Sequence, residues 1–183
     1  MKQNFTLVET IVVLGVLGLI IPTIFIIVFT ISREQIKTNS LSIVKRQGDY
    51  IIENISNLIK NNAVSIHNQF PPDETNIVCF NSGNYSSNTD LVFEDKEGNW
   101  FRINYDGNKI SSQSSTLTVD LNSEVTKINN FSISCETGTF YSPPSVALSF
   151  DICYKGSSSD CVLNNIEESV NLHYQTKIKL RNY

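Results

Sequence analysis

Phe5-Thr6-Leu7-Val8-Glu9-Thr10-Ile11-Val12-Val13-Leu14-Gly15-Val16-Leu17-Gly18-Leu19-Ile20-Ile21-Pro22 is the stretch on which the reading of this chain turns. It opens a run from Thr10 to Ser32 of 23 consecutive positions without a charged side chain, dominated by Leu, Ile, Val and Phe. A helix needs about 20 apolar residues to cross the hydrocarbon core of a bilayer, and this run is long enough. A secretory signal has a shorter apolar core followed by a small-residue cleavage site. No such site follows Ser32, so the segment reads as a retained membrane helix.

Glu9 is the odd residue. A carboxylate at the edge of hydrocarbon is costly unless it finds a partner or reaches water. On the residues alone two readings stay open: Glu9 marks the membrane boundary and snorkels to water, or it is a charge kept for pairing. Pro22 lacks a backbone donor and is expected to kink or loosen the helix. Gly15 and Gly18 are small positions, common in helices that pack inside membranes.

The string Phe5-Thr6-Leu7-Val8-Glu9 with the apolar run behind it closely resembles the N-terminus of type IV prepilins and type II secretion pseudopilins. The resemblance is carried by Phe5 to about Ser32. It implies that a prepilin peptidase removes the leader 1–4 by cutting between Asn4 and Phe5, and that the new amine is methylated. The family places Gly, less often Ala or Ser, before that cut; here Asn4 stands there. The resemblance also makes Glu9 the family's signature carboxylate. Its implied role is to neutralise the N-terminal ammonium of a neighbouring subunit and set axial register during assembly, a directional interaction in low dielectric. Pro22 then marks a place where the helix can melt within a filament. The implied partners are other pilin or pseudopilin subunits, the peptidase, an inner-membrane assembly platform and the membrane itself. The implied location is single-pass in the cytoplasmic membrane with the head outside, then a surface pilus or periplasmic pseudopilus. The strand order and large head further resemble minor pilins and J-type minor pseudopilins, which serve adhesion, motility, DNA uptake or secretion. The alternative is a signal-anchored extracytoplasmic binding protein that forms no filament.

Beyond the apolar run, 33–62 reads as an amphipathic helix. Ile36, Val44, Ile51, Ile55, Leu58 and Ile59 recur near helical spacing, with Lys37, Lys45, Arg46, Glu53 and Lys60 between them. One helix from Phe5 to Asn61 would be roughly 85 Å long at about 1.5 Å per residue. Pro71-Pro72-Asp73 opens a loop, and 63–183 reads as a β-rich head. Strands are expected at 76–80, 91–94, 100–105, 116–121, 127–135, 146–154 and 170–179, with Asp106-Gly107 as a hairpin turn leading to Lys109-Ile110. Val170, Leu172, Tyr174, Thr176, Ile178 and Leu180 alternate with polar residues as in a half-buried strand. The expected fold class is α+β: a long N-terminal helix, its apolar half membrane-spanning and its second half amphipathic, packed on an antiparallel β-sheet head.

All four cysteines, Cys79, Cys135, Cys153 and Cys161, fall in the head. An even count in an extracytoplasmic domain predicts two disulfides, for which three pairings exist. The short stretch between Cys153 and Cys161 looks like one tight loop and favours that pair, leaving Cys79–Cys135. The spacing matches no zinc pattern. The net charge of −4 without a basic run gives no footprint for direct nucleic-acid binding. His67 and His173 are the only histidines, and no catalytic constellation, cofactor motif or phosphate loop stands out. The acidic pairs Asp73-Glu74 and Glu94-Asp95, with Glu97, read as solvated turns rather than calcium ligands.

Overall fold

The computed structural model describes residues 6–80, 83–138, 142–156, 160–161 and 170–181. By its internal contacts the chain divides into two compact units, Met1–Asn39 and Ser40–Tyr183.

The first unit is helix. Helix α1 spans Leu7–Asn62, and its helical run is unbroken at Pro22. Within 6–39 every side chain is exposed. The large apolar residues of the run range from 44% exposure at Leu17 to 76% at Leu19.

The second unit is built on the last turns of α1. Ser40, Val44, Gly48, Ile51, Ile55, Ser56 and Ile59 are its buried positions. Their spacing of three and four residues makes one stripe along the helix. Ile36 was expected on this stripe. It is 60% exposed instead and belongs to the first unit, whose described side chains are all exposed. Leu58 is half-buried beside the stripe.

The strands after α1 form the expected antiparallel head, as two sheets. β1 (Ser65–His67), β3 (Asp90–Glu94), β4 (Trp100–Tyr105), β5 (Ile110–Ser114) and β6 (Thr118–Asp120) make a five-stranded sheet in the order β1-β3-β4-β5-β6. β2 (Asn84–Ser87), β7 (Thr126–Glu136), β8 (Ser145–Tyr154) and β9 (Asn171–Lys179) make a four-stranded sheet in the order β2-β7-β8-β9. The chain passes between the sheets from β1 to β2, from β2 to β3 and from β6 to β7, and the last of these crossings runs through buried Asn122. Its Oδ1 accepts from the Ile110 amide at 3.0 Å and its Nδ2 donates to the Thr126 carbonyl at 3.3 Å. The side-chain amide thus satisfies backbone groups that a continuing ladder would have paired, and the chain leaves one sheet for the other.

Local chemistry explains most strand ends. Gly107 sits at φ +98, a region open to glycine, and the Asp106 carboxylate accepts from the Asn108 and Lys109 amides at 2.8 and 2.7 Å. Burial works against that charge, but these bonds outweigh it and hold the Asp106 carboxyl below its usual value. The strand expected at 76–80 is absent. Asp73 caps a single 3-10 turn at Glu74–Asn76, and Cys79 sits at φ +57, outside the extended backbone of a regular strand. Only Ile77 bridges back, to His67.

The core lies between the helix stripe and the inner faces of the two sheets. Ile51, Ile55 and Ile59 meet a cluster that includes Phe93, Ile103, Ile133, Leu148 and Phe150, all fully or almost fully buried. Gly48 admits one close approach. A Cβ there would overlap the ring of Tyr174 on β9, whose hydroxyl donates to the Lys45 carbonyl at 3.0 Å. Two disulfides close the head, Cys79–Cys135 and Cys153–Cys161.

Candidate functional site

The feature that dominates the chain is the apolar half of α1, and its chemistry begins at its first turn. Leu7 is the first helical residue, so Thr6 occupies the position before it. The Glu9 amide donates to Thr6 Oγ1 at 3.3 Å, and Glu9 Oε2 accepts from the Thr6 amide and the Thr6 hydroxyl, each at 3.1 Å. This is a reciprocal capping box, which satisfies amides that the first helical turn leaves without partners. A carboxylate there also lies at the positive end of the helix dipole. The Glu9 charge therefore has a partner within its own helix. The sequence carried the signal for this in Thr6-Leu7-Val8-Glu9, a Ser/Thr-x-x-Glu pattern directly before an apolar run, and the expectation for Glu9 did not use it.

The polar side chains inside the run are satisfied in the same local way. Thr10, Thr23, Thr30 and Ser32 donate their hydroxyls to the carbonyls of Leu7, Ile20, Ile26 and Val28, at 2.7 to 2.9 Å. In hydrocarbon a hydroxyl without a partner costs several kcal/mol. Each hydroxyl here turns back onto its own helix, which leaves an apolar surface around the whole circumference. At the end of the run the Arg33 guanidinium lies over the Phe29 ring, 4.4 Å from its centroid. One helix of this length and apolarity fits membrane anchoring, and the two disulfides fit a head outside the cytoplasm.

Among the named site residues, Asn4 and Phe5 lie outside the described residues. Glu9 and Pro22 lie on α1 in the first unit, and the four cysteines lie in the second. Gly15 and Gly18 have open space around them, with nothing within 4 Å of where a Cβ would stand.

In the head, folding brings together one set of groups that the sequence kept apart. Buried His67 lies with its Nε2 2.8 Å from the Ser65 hydroxyl and its Nδ1 2.7 Å from Asn76 Oδ1. The Asn76 amide is oriented by two backbone bonds: Oδ1 accepts from the Asp73 amide and Nδ2 donates to the Pro71 carbonyl. Nδ1 must therefore carry a proton, because both groups facing it, Asn76 Oδ1 and the Asp73 carbonyl, are acceptors. The Ser65 hydroxyl also reaches Glu94 Oε2 at 3.1 Å. A carboxylate beside that hydroxyl would repel the oxyanion of an acyl-transfer reaction. The arrangement serves to pin the 70–76 loop over the outer face of the five-stranded sheet. His173 is an exposed partner of Asp151 at 2.7 Å. The Asn130 side-chain amide, with His173 beside it, holds the Asp151 carboxyl below its usual value.

Asp95 turns inward on its own hairpin, accepting from the Glu97 and Asn99 amides at 2.9 and 2.8 Å. Among the described residues no group of three or more His, Cys, Asp or Glu is placed to hold a metal ion. No family model, curated protein or solved structure matches the chain.

Proposed function

We propose that this protein is a structural subunit, of the minor class, of a type IV pilus or related pseudopilus. The observation that carries the reading is the presence of Glu9 at the head of an apolar helix whose described side chains are all exposed. The Phe5–Glu9 string is the one by which such subunits are recognised. In this reading the membrane holds the apolar half of α1 first, and the helices of neighbouring subunits replace the lipid on assembly. Glu9 then exchanges part of its local cap for the N-terminal amine of a neighbour. The head stays outside the cytoplasm, where its disulfides form.

The first test is the intact mass of the chain purified from its native membranes. A mass corresponding to a start at Phe5 plus one methyl group is the expected result. The full mass from Met1 would remove the filament reading, because an unprocessed chain has no free amine at Phe5 for a neighbour's Glu9. The second test is Glu9→Ala, which should leave a stable membrane protein that no longer appears in sheared filaments.

A second reading is a signal-anchored extracytoplasmic binding protein that stays in the membrane. Two observations favour it: Asn4 stands where the family has Gly, and Glu9 is already satisfied by Thr6. It predicts no cut before Phe5 and no dependence of assembly or location on Glu9.

A further inference from the structure

The outer face of the four-stranded sheet is hollow. Residues facing outward on one cross-strand row are Ser86, Ser134, Ala147 and Lys177, paired in register from β2 through β7 and β8 to β9. The small side chains of Ser134 and Ala147 in mid-sheet leave a trough of about 860 Å³, walled by Asn84 on β2 and Gln175 on β9. That is within the roughly 300–1,000 Å³ typical of small-molecule sites.

The polar groups of this trough differ from several elsewhere in the head. Ser65, Asn76, Asn122, Thr126 and Thr137 all spend their side chains on internal hydrogen bonds. The side chains of Asn84, Ser86, Ser134 and Gln175 have no hydrogen-bond partner among the described residues. Two amides and two hydroxyls therefore converge on one hollow, and each can both donate and accept. The charges there are already matched, since Lys177 is hydrogen-bonded to Glu136 across β8, and that bond holds the Glu136 carboxyl below its usual value.

These features select a chemical class. A polyanion is disfavoured, because the one cation lining the trough is held by a carboxylate. A lipid is disfavoured, because the lining is about as polar as it is apolar. An extended peptide gains most of its affinity by adding backbone hydrogen bonds at a sheet edge. Here the floor lies on the face of β7 and β8, central strands whose backbone groups pair on both sides, so over the floor only side chains are on offer. We propose that the trough binds a neutral saccharide, whose hydroxyls match amides and hydroxyls that donate and accept at once. The inference is independent of filament assembly and would hold equally for a membrane-anchored binding protein.

The test is retention of the full chain, reconstituted in lipid nanodiscs, on a printed array of neutral oligosaccharides, with sulfated and sialylated ones alongside. Binding to at least one neutral oligosaccharide is expected. Ala147→Trp fills the trough from the solvent face and should weaken that binding at least tenfold, with the melting temperature of the head unchanged. Gln175→Ala, a smaller change that removes one amide, should weaken it about threefold or more. Retention of no neutral oligosaccharide, retention of the charged ones alone, or full binding by Gln175→Ala together with a well-folded Ala147→Trp would each overturn the proposal.

Discussion

The two halves of α1 are one continuous helix with opposite relations to the rest of the chain. From Ser40 on, Val44, Ile51, Ile55 and Ile59 are all at 0% exposure, packed into a core supplied by both sheets. Before Ser40, residues at least as apolar are exposed, such as Ile24 at 53% and Phe25 at 70%. Burial of apolar area is the main force that holds a helix in water, worth about 25 cal/mol for each Å² removed from it. The second half draws that force from its own head. The first half finds no such cover among the described residues, which fits a bilayer around it. A hydrophobic helix reads differently depending on whether its partner is encoded in the same molecule.

The largest test of that difference truncates one isoleucine in each half. Ile55→Ala removes a fully buried side chain and should cost about 4 kcal/mol of head stability, from lost transfer energy and the cavity left behind. Ile24→Ala should leave thermal unfolding of the head unchanged, whatever it does to assembly. A drop of more than about 0.5 kcal/mol for Ile24→Ala would break the comparison. Glycines give a smaller version of the same contrast. Gly48→Ala drives a methyl into the Tyr174 ring and should destabilise the head by about 2 kcal/mol, as overpacking does. Gly18→Ala meets open space and should leave head melting where it is.

Much of this division was legible in the sequence. The uncharged run from Thr10 to Ser32 fixes a membrane-length helix by length alone, and the three-and-four spacing from Val44 to Ile59 fixes the buried stripe. Strands β4, β7, β8 and β9 follow from alternation and from the Asp106-Gly107 turn. What could not be read is what depends on distant partners. β2 is Asn84-Tyr85-Ser86-Ser87, a loop-like composition made into a strand by pairing with Ile133–Glu136 on β7. The stretch at 76–80 has strand-like residues, but the cap at Asp73 and the left-handed backbone at Cys79 override them. The crossing from β6 to β7 passes through one buried amide, Asn122, which in sequence is one polar residue among many. The pinning of His67 by Ser65 and Asn76 and the trough floored by Ser134 and Ala147 both arise from strand register, which no local pattern carries. The capping box at Thr6 and Glu9 was legible throughout, because its signal is a spacing of three.

The smallest effect, and the one that probes the head half most cleanly, is at the phenol of Tyr174. Its hydroxyl donates to the Lys45 carbonyl, so Tyr174→Phe should cost about 1 kcal/mol at neutral pH, the net worth of one hydrogen bond. Burial, and after it the negative charge of Asp49, push this phenol up to about 12 from an ordinary value near 10. A raised value means that the folded head holds a proton the unfolded chain gives up sooner. The resulting stability is fully present below about pH 10 and is lost as pH rises through about 12, where the folded phenol also ionises. Denaturant midpoints of the wild type should therefore fall more steeply over that alkaline window than those of Tyr174→Phe, and the two curves should converge toward its upper end. The segment Thr10–Ser32 has no side chain that titrates, so the difference would report on packing of α1 in the head alone. Parallel curves across the window would mean that Tyr174 does not sit against the helix as Gly48 allows, and that the contact separating the two halves of α1 lies elsewhere on the stripe.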